Sequence, residues 1–504
     1  MDIARWIERH AAFTPERPAI RFGERVITWR ELDARVRRLA RGLDSRFGLG
    51  RGDRVAWLGL NHPDMLLLLF ACARLGLVLV PLNARLAPAE HAYILDHAGV
   101  EVLFCGPGFE EAGARLAGEL EDLRVVAAEG PEGIDALLAE EGAERHPHVD
   151  LSCPILLVYT SGTTGRPKGA VLTQAALFWN AVNSTHMHDL GSADRVLTVL
   201  PMFHVGGLNI QTTPALHAGA EVVLLERFDA DAALAAIEAF RPTLTVLVPA
   251  TMRALIEHPR WERADLSCLR MIACGSQVVP LPLLEAFNGR GVPAAQVYGS
   301  TETCPIAVYQ RAADALRKPG STGKPGLHVE MRIVDREGRD VPPGERGEVW
   351  IRGPNVMSEY WRDEKATREA LVEGWFRTGD VGVVDGEGDL WIVDRIKDVV
   401  ISGGENIYPA ELEAVLHAEP RIREAVVVGR PDPRWGEVPV AVVVRADPAL
   451  REEEVLALFE GRLARFKHPR AVVFVEELPR NVMGKVLKYR LREWLAGAGD
   501  DVRP

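Results

Sequence analysis

Cysteine is scarce in this chain: six residues in 504, none spaced as a CxxC pair, which argues against both a disulfide framework and a cysteine-based metal site. Cys72, Cys105, Cys153, Cys268, Cys274 and Cys304 read as reduced, mostly buried thiols of a cytoplasmic protein. Basic residues are outnumbered, 59 Lys and Arg against 71 Asp and Glu, for a formal charge of −12. Such a balance disfavours nucleic-acid binding through phosphate neutralisation. Repeats and low-complexity tracts are lacking, and the first ten residues are too charged for a signal peptide. Long apolar runs are rare. Residues 65–82 come nearest to a membrane span, apolar except for Arg74, but Gly76 and Pro81 interrupt them. A helix, a turn and a buried strand at residues 78–80 are expected there, and no transmembrane segment.

What the chain has is length and alternation. A chain of 504 residues exceeds one ordinary core, so at least two domains are expected. Strand-like runs at 55–60, 221–225 and 243–248 alternate with helical patterns at 63–75 and 230–240. This is the α/β pattern of a large N-terminal domain of layered sheets and helices. Thr28 and Glu31 form a capping-box pattern opening a helix. Short strands and Gly/Pro turns from about 320 to 352 indicate a small β subdomain. Beyond residue 398 come a helix (409–417), two strands (425–428, 438–444) and a helix (452–464), a small α+β C-terminal domain. The boundary falls near Lys397, dividing 1–396 from 397–504.

The most informative segment is YTSGTTGRPKG at 159–169. Small residues leave backbone N–H groups free, hydroxyls add donors and Lys168 adds positive charge, which is what a polyphosphate requires. No GxxxxGK[ST] pattern occurs, so this is not a Walker A loop.

On this segment the chain resembles the adenylate-forming superfamily, which includes acyl-CoA synthetases, luciferases and peptide-synthetase adenylation domains. Five further motifs follow in the family's order: PMFH at 201–204, YGSTE at 298–302, WFRTGD at 375–380, DRIKD at 394–398 and NVMGK at 481–485. The type resembled is the AMP-forming acyl-CoA synthetase, a bacterial fatty-acid or aryl-acid CoA ligase using ATP, Mg2+ and coenzyme A, with a mobile C-terminal domain hinged at Lys397.

The resemblance implies roles for individual residues. Thr160, Ser161, Gly162, Thr163, Thr164, Gly165 and Lys168 hold the polyphosphate. Gly275, Ser276, Gln277, Tyr298, Gly299 and Ser300 surround the adenine side, and Thr301 bonds the α-phosphate. The segment at 275–277 departs from the family's Gly-Ala-Pro-like pattern, leaving the side-chain roles of Ser276 and Gln277 open. Asp380 and Arg395 meet the ribose, where a carboxylate offers two acceptors to a vicinal diol. Thr160 and Glu302 are hard oxygen ligands for Mg2+, and Lys485 stabilises charge building at the α-phosphate.

For the second substrate, Ser402, Gly403, Gly404 and Glu405 admit a pantetheine arm, since glycine lets a backbone approach closely. Trp435 and Phe466 flank the CoA nucleotide, with His468 and Arg470 near its phosphates. Relatives often carry a more basic residue in place of His468. His204 lies where acyl and thiol channels meet. Val205, Gly206, Gly207, Thr303 and Cys304 complete an acyl pocket, the paired glycines leaving room beside His204.

The expected reaction forms acyl-AMP and pyrophosphate, then acyl-CoA and AMP. A medium- or long-chain fatty acid is the first substrate reading; an aryl acid such as a hydroxycinnamate or benzoate is the alternative. The absence of Lys and Arg from the pocket segments weakens a dicarboxylate. An acyl-adenylate transferase serving a carrier protein is a third reading, disfavoured because no carrier domain follows Pro504. A non-catalytic relative is disfavoured by the presence of Lys485, Glu302 and Asp380. A homodimer is left open.

Overall fold

The computed structural model describes residues 2–128, 130, 133–140, 148–160, 167–402, 405–480 and 486–497. Among them, strands assemble into four sheets. The nine-stranded sheet is parallel through its middle: Ala294–Tyr298, Met271–Gly275, Leu244–Leu247, Arg195–Thr198, Glu221–Leu224 and Pro18–Phe22 lie side by side. The seven-stranded sheet orders Glu359–Tyr360, Lys168–Thr173, Pro154–Thr160, Val78–Leu82, Arg54–Leu58, Val100–Cys105 and Arg124–Ala127.

The membrane-like run is explained by the helix Pro63–Leu75, every residue of which is buried. A helix apolar on all sides belongs inside a core, and this one joins the main apolar cluster with strands of both large sheets. Its two charges are paired: Asp64 takes Arg35 at 3.0 Å, and Arg74 lies 3.8 Å from Glu8. Gly76 ends the helix at φ 74°, a left-handed cap that glycine adopts without strain. Pro81 does not break the strand after it, being paired with Trp57. Among the described residues no helix is long and apolar enough to cross a membrane. Thr28 caps the helix Trp29–Phe47 by accepting from the Glu31 N–H at 3.2 Å.

The β subdomain is larger than the composition suggested. Glu330–Val334 and Gly347–Arg352 continue onto Trp375–Val384, Leu371–Val372 and Leu390–Arg395, so it runs past residue 352 and carries the WFRTGD motif on a strand. The Gly/Pro turns marked only its first half, while the second half has the longer, aromatic strands.

In the small C-terminal domain, Ile422–Asp432 and Gly436–Arg445 pair along ten registers. Alternate residues face opposite ways. Ala425, Val427, Ala441 and Val443 pack against Leu412, Leu416, Val455 and Phe459, whereas Val426, Val428, Val440 and Val442 pack against Leu491 and Leu495. Both faces are covered, which explains the unbroken Val runs. The expected helix over 452–464 ends at Ala457; turns follow, and Gly461 sits at φ 69°.

Candidate active site

The strands flanking residues 161–166 pair antiparallel, with Thr160 opposite Lys168. Ser161, Gly162, Thr163, Thr164 and Gly165 lie outside the described residues, as do Gly403, Gly404 and Lys485. Lys168 Nζ stands 5.5 Å from the centroid of the Tyr360 ring and 3.8 Å from the Asp363 carboxylate.

Tyr360 is a residue the motifs did not reveal. The short strand Glu359–Tyr360 adds to the edge of Lys168–Thr173, with Tyr360 opposite Ala170. From there its hydroxyl donates to Glu302 Oε1 at 2.7 Å. Burial, with the Glu302 charge next, pushes the phenol well above its ordinary pKa, so it stays a donor. The main chain repeats the link: Met357 N–H donates to the Glu302 carbonyl at 2.7 Å. Phosphate-loop strand and carboxylate are thus held in one unit.

Glu302 and Thr160 are single oxygen donors on separate elements, and no cluster of three or more His, Cys, Asp or Glu occurs among the described residues. That donor set fits Mg2+ carried on ATP phosphates, which takes one or two carboxylates in place of a protein cage.

At the ribose motif, Asp380 and Arg395 face each other on adjacent strands. Arg395 Nε lies 2.9 Å from Asp380 Oδ1, and Tyr298 Oη donates to Asp380 Oδ2 at 2.8 Å. Asp380 is buried. Its charge holds the Arg395 guanidinium firmly protonated. Burial and then the same carboxylate raise the Tyr298 phenol far above its ordinary value.

Gly275 owes its identity to packing, since a Cβ there would come 2.3 Å from the Val297 carbonyl oxygen. Ser276 follows at φ 75° and is exposed, with Gln277 half-buried. At Gly299 a Cβ would fall 1.7 Å from the Pro305 carbonyl oxygen. Thr301, Glu302 and Thr303 form one 3₁₀ turn. Ser300 Oγ is buried with no partner among the described residues, while Thr303 Oγ1 is committed to the Ser300 and Pro305 carbonyls.

His204 precedes the short helix Val205–Gly207. Its ring leans on Phe203, centroids 4.9 Å apart, and its Nε2 is shut from solvent without a partner among the described residues. Burial, with Arg85 adding repulsion, lowers its pKa to about 4, so the ring is neutral at pH 7. Of the paired glycines expected to leave room beside His204, Gly207 is closed in by backbone. A Cβ on Gly207 would stand 2.2 Å from the Pro201 carbonyl oxygen, so that glycine serves backbone packing.

Four buried asparagines, also missed from sequence, stitch this region together. Asn209 donates to Cys304 Sγ at 3.5 Å, and Asn180 donates to the Asn209 carbonyl at 2.6 Å. Asn180 also accepts from the Ile306 N–H, Asn183 donates to the Ile306 carbonyl, and Asn355 donates to the Thr303 carbonyl at 2.7 Å. Cys304 is buried within this network.

In the C-terminal domain Ser402 pairs with Glu405 and with Gly436. Trp435 and Phe466 are exposed large aromatics. The Arg434 and Arg470 guanidinium carbons lie 4.9 and 6.0 Å from the Trp435 ring centroid. His468 Nε2 is 2.9 Å from the Leu463 carbonyl oxygen, so that nitrogen is already engaged.

With this geometry the chain matches AMP-binding enzymes over residues 7–361 and the AMP-binding enzyme C-terminal domain over 411–485. The chain belongs to the AMP-binding enzyme family. An indoleacetate–CoA ligase of Aromatoleum aromaticum is 52% identical over 503 residues, covering 98% of each chain. A feruloyl-CoA synthase of an Amycolatopsis species is 45% identical, covering 97% of this chain and 98% of its own. Among solved structures, the o-succinylbenzoate CoA synthetase of Bacillus subtilis with its acyl-adenylate superposes at a TM-score of 0.86 with 34% identity, covering 99% of this chain and 98% of that one.

The protein is accordingly an ATP-dependent, AMP-forming acid–thiol ligase that works through an acyl-adenylate. Its cosubstrates are ATP and coenzyme A, with Mg2+.

Proposed function

We propose that the acid is aromatic: an arylacetate or hydroxycinnamate type of carboxylic acid, activated as aryl-acyl-AMP and transferred to CoA. The observation that carries this is full-length similarity to an indoleacetate–CoA ligase and a feruloyl-CoA synthase. Their substrates share a flat ring and a short carboxylated arm. The aryl alternative therefore takes precedence over the medium- or long-chain fatty acid read first from the sequence.

In the first half-reaction a carboxylate oxygen of the acid attacks the α-phosphorus and pyrophosphate leaves with the bridging oxygen. Thr301 bonds the α-phosphate, Asp380 and Arg395 orient the ribose, Glu302 and Thr160 would hold Mg2+, which would offset phosphate charge, and Lys485 stabilises the equatorial charge. His204, neutral and desolvated, sits at the acyl end. In the second half-reaction the thiol enters past residues 402–405, with the CoA nucleotide between Trp435 and Phe466 and its phosphates near Arg470. The two halves share one acyl-AMP, and the small domain, divided from the large one at Lys397, rotates between them.

The test is a panel of acids with ATP, Mg2+ and CoA, scored for AMP release and acyl-CoA. Indole-3-acetate and hydroxycinnamates should give the highest kcat/KM. Higher kcat/KM for decanoate or palmitate than for every aryl acid would reverse the substrate reading, and release of ADP would reject the chemistry.

A further inference from the structure

Residues 201–218 form one irregular stretch: the short helix Val205–Gly207, a π-turn over Leu208–Thr212, then the helix Thr213–Ala218. In the π-turn the Thr213 N–H reaches the Leu208 carbonyl, one residue beyond α-helical spacing, a device frequent at functional sites. Its polar side chains are otherwise well matched. Asn209 donates to Cys304 Sγ and accepts from Thr213 Oγ1 at 3.1 Å, and Thr212 Oγ1 donates to the Gly207 carbonyl at 2.7 Å.

Gln211 is the exception. It is 1% exposed, and neither its Oε1 nor its Nε2 has a partner among the described residues. A buried amide with donor and acceptor both unmet is unfavourable by desolvation alone. The matched neighbours show that loose packing does not account for it. Gln211 lines a small cavity with Val199, Leu200, Gly207, Thr212 and Val246. Leu200 and Gly207 bracket the loop that carries His204, and Asn209 ties the same turn to Cys304, three residues after Thr301 along the chain. With His204 and Thr301 in the roles proposed above, these links put the amide toward the acid's side of the adenylate site.

Resting on the aryl-acid reading above, we propose that Gln211 is a specificity-determining residue whose amide pairs with a hydrogen-bonding group on the ring of the acid. An indole N–H or a phenolic O–H can donate to its Oε1, and a phenolic or methoxy oxygen can accept from its Nε2. The acid supplies the partner that the protein withholds.

Two matched pairs of acids test this: indole-3-acetate against 1-naphthylacetate, and 4-hydroxycinnamate against cinnamate. The wild-type enzyme should prefer the polar member of at least one pair, and Gln211→Met should reduce that kcat/KM ratio by on the order of tenfold or more. Because methionine fills similar volume without an unmet amide, the ligand-free variant should melt no lower than wild type. An equal slowing of all four acids, a lower melting temperature or failure to fold would mark a structural amide served by a buried water, and would overturn the assignment. An unchanged ratio in a variant that still uses aryl acids overturns it while leaving the aryl reading intact. A wild-type enzyme that activates none of the four overturns both.

Discussion

The Tyr360 hydroxyl donates to Glu302 Oε1 at 2.7 Å across a 58-residue separation in sequence. The bond fixes one carboxylate oxygen and leaves the other for the Mg2+ role proposed for Glu302. Partners behind a metal ligand commonly change metal affinity about 10–100-fold. Tyr360→Phe should therefore raise the Mg2+ concentration for half-maximal adenylation by about tenfold, with melting temperature nearly unchanged. Pyrophosphate exchange titrated with Mg2+ is the measurement. An unaltered Mg2+ dependence would make the bond purely structural.

At the proposed ribose site Asp380 has a donor on each oxygen, Tyr298 and Arg395. Tyr298→Phe removes one of them, and a hydrogen bond to a charged group is worth about 1.5–3 kcal/mol. The KM for ATP should rise roughly tenfold while kcat falls little. Asp380→Asn also leaves Arg395 without its counter-charge. It should lower stability as well as ATP affinity, by about 1–3 kcal/mol given that Arg395 is partly exposed. Urea unfolding of the two variants separates the effects: a Tyr298→Phe enzyme less stable than Asp380→Asn would contradict this order.

Asp394 gives a pH dependence with a definite sign. Burial pushes its carboxyl up to about 6, Lys488 opposing and Glu413 adding to the shift. The folded value lies above the unfolded one of about 3.9, so the folded state keeps its proton longer. This group's contribution is full below about pH 4 and is lost as pH rises through 6. Asn at this position cannot ionise but can still accept from the Ala410 N–H, which Asp394 Oδ2 meets at 3.0 Å. Asp394→Asn should match wild type near pH 4 and exceed it above pH 7 by up to about 3 kcal/mol. Unfolding curves from pH 4.5 to 8 check this, and a difference that does not vary with pH would contradict it.

The large elements were legible because their signals are local. The buried helix Pro63–Leu75 and the amphipathic helix Ala230–Phe240 were bounded correctly by apolar pattern and caps. The adenylate motifs were legible because glycines, hydroxyls and charges cluster in short stretches. What stayed hidden depends on residues brought together from far apart. Tyr360 stands on a two-residue strand and gains its role from pairing with the phosphate-loop strand. Asn180, Asn183, Asn209 and Asn355 each read as ordinary polar residues until burial makes their partners obligatory. Gly207 looked like open space and proved to be a backbone contact. The helix predicted to reach 464 stopped at Ala457, though Leu458 and Phe459 continue the apolar pattern, because turns rather than helix bring Phe459 into the core.

Two different chemistries at one acyl-AMP call for a moving part, and the contacts around the hinge proposed at Lys397 indicate what such a motion would exchange. Asp398 pairs with Arg492. Lys488 Nζ pairs with Glu413 Oε1 at 2.8 Å, and its charge acts on Asp394. Arg492 and Lys488 lie on the helix Lys488–Gly497, which begins three residues after Lys485. The proposed hinge is thereby tied to the helix that follows, in sequence, the lysine proposed to serve adenylation. A second tie crosses from the large domain, where Arg346 pairs with Glu411 and its guanidinium carbon stands 4.4 Å from the Tyr408 ring centroid. The proposed rotation would carry the Asp398–Arg492 and Lys488–Glu413 pairs with the small domain and exchange the Arg346 contacts and the Lys488 charge on Asp394, through changes in a few backbone angles near Lys397. Lys397→Pro fixes one of those angles near −65°, so it should spare one half-reaction and cripple the other. Adenylation is the expected survivor, with thioester formation slowed by on the order of a hundredfold or more. Single-turnover measurement of acyl-AMP formation, and separately of its conversion to acyl-CoA, distinguishes the outcomes. A folded Lys397→Pro enzyme with both steps at wild-type rates would place the pivot elsewhere.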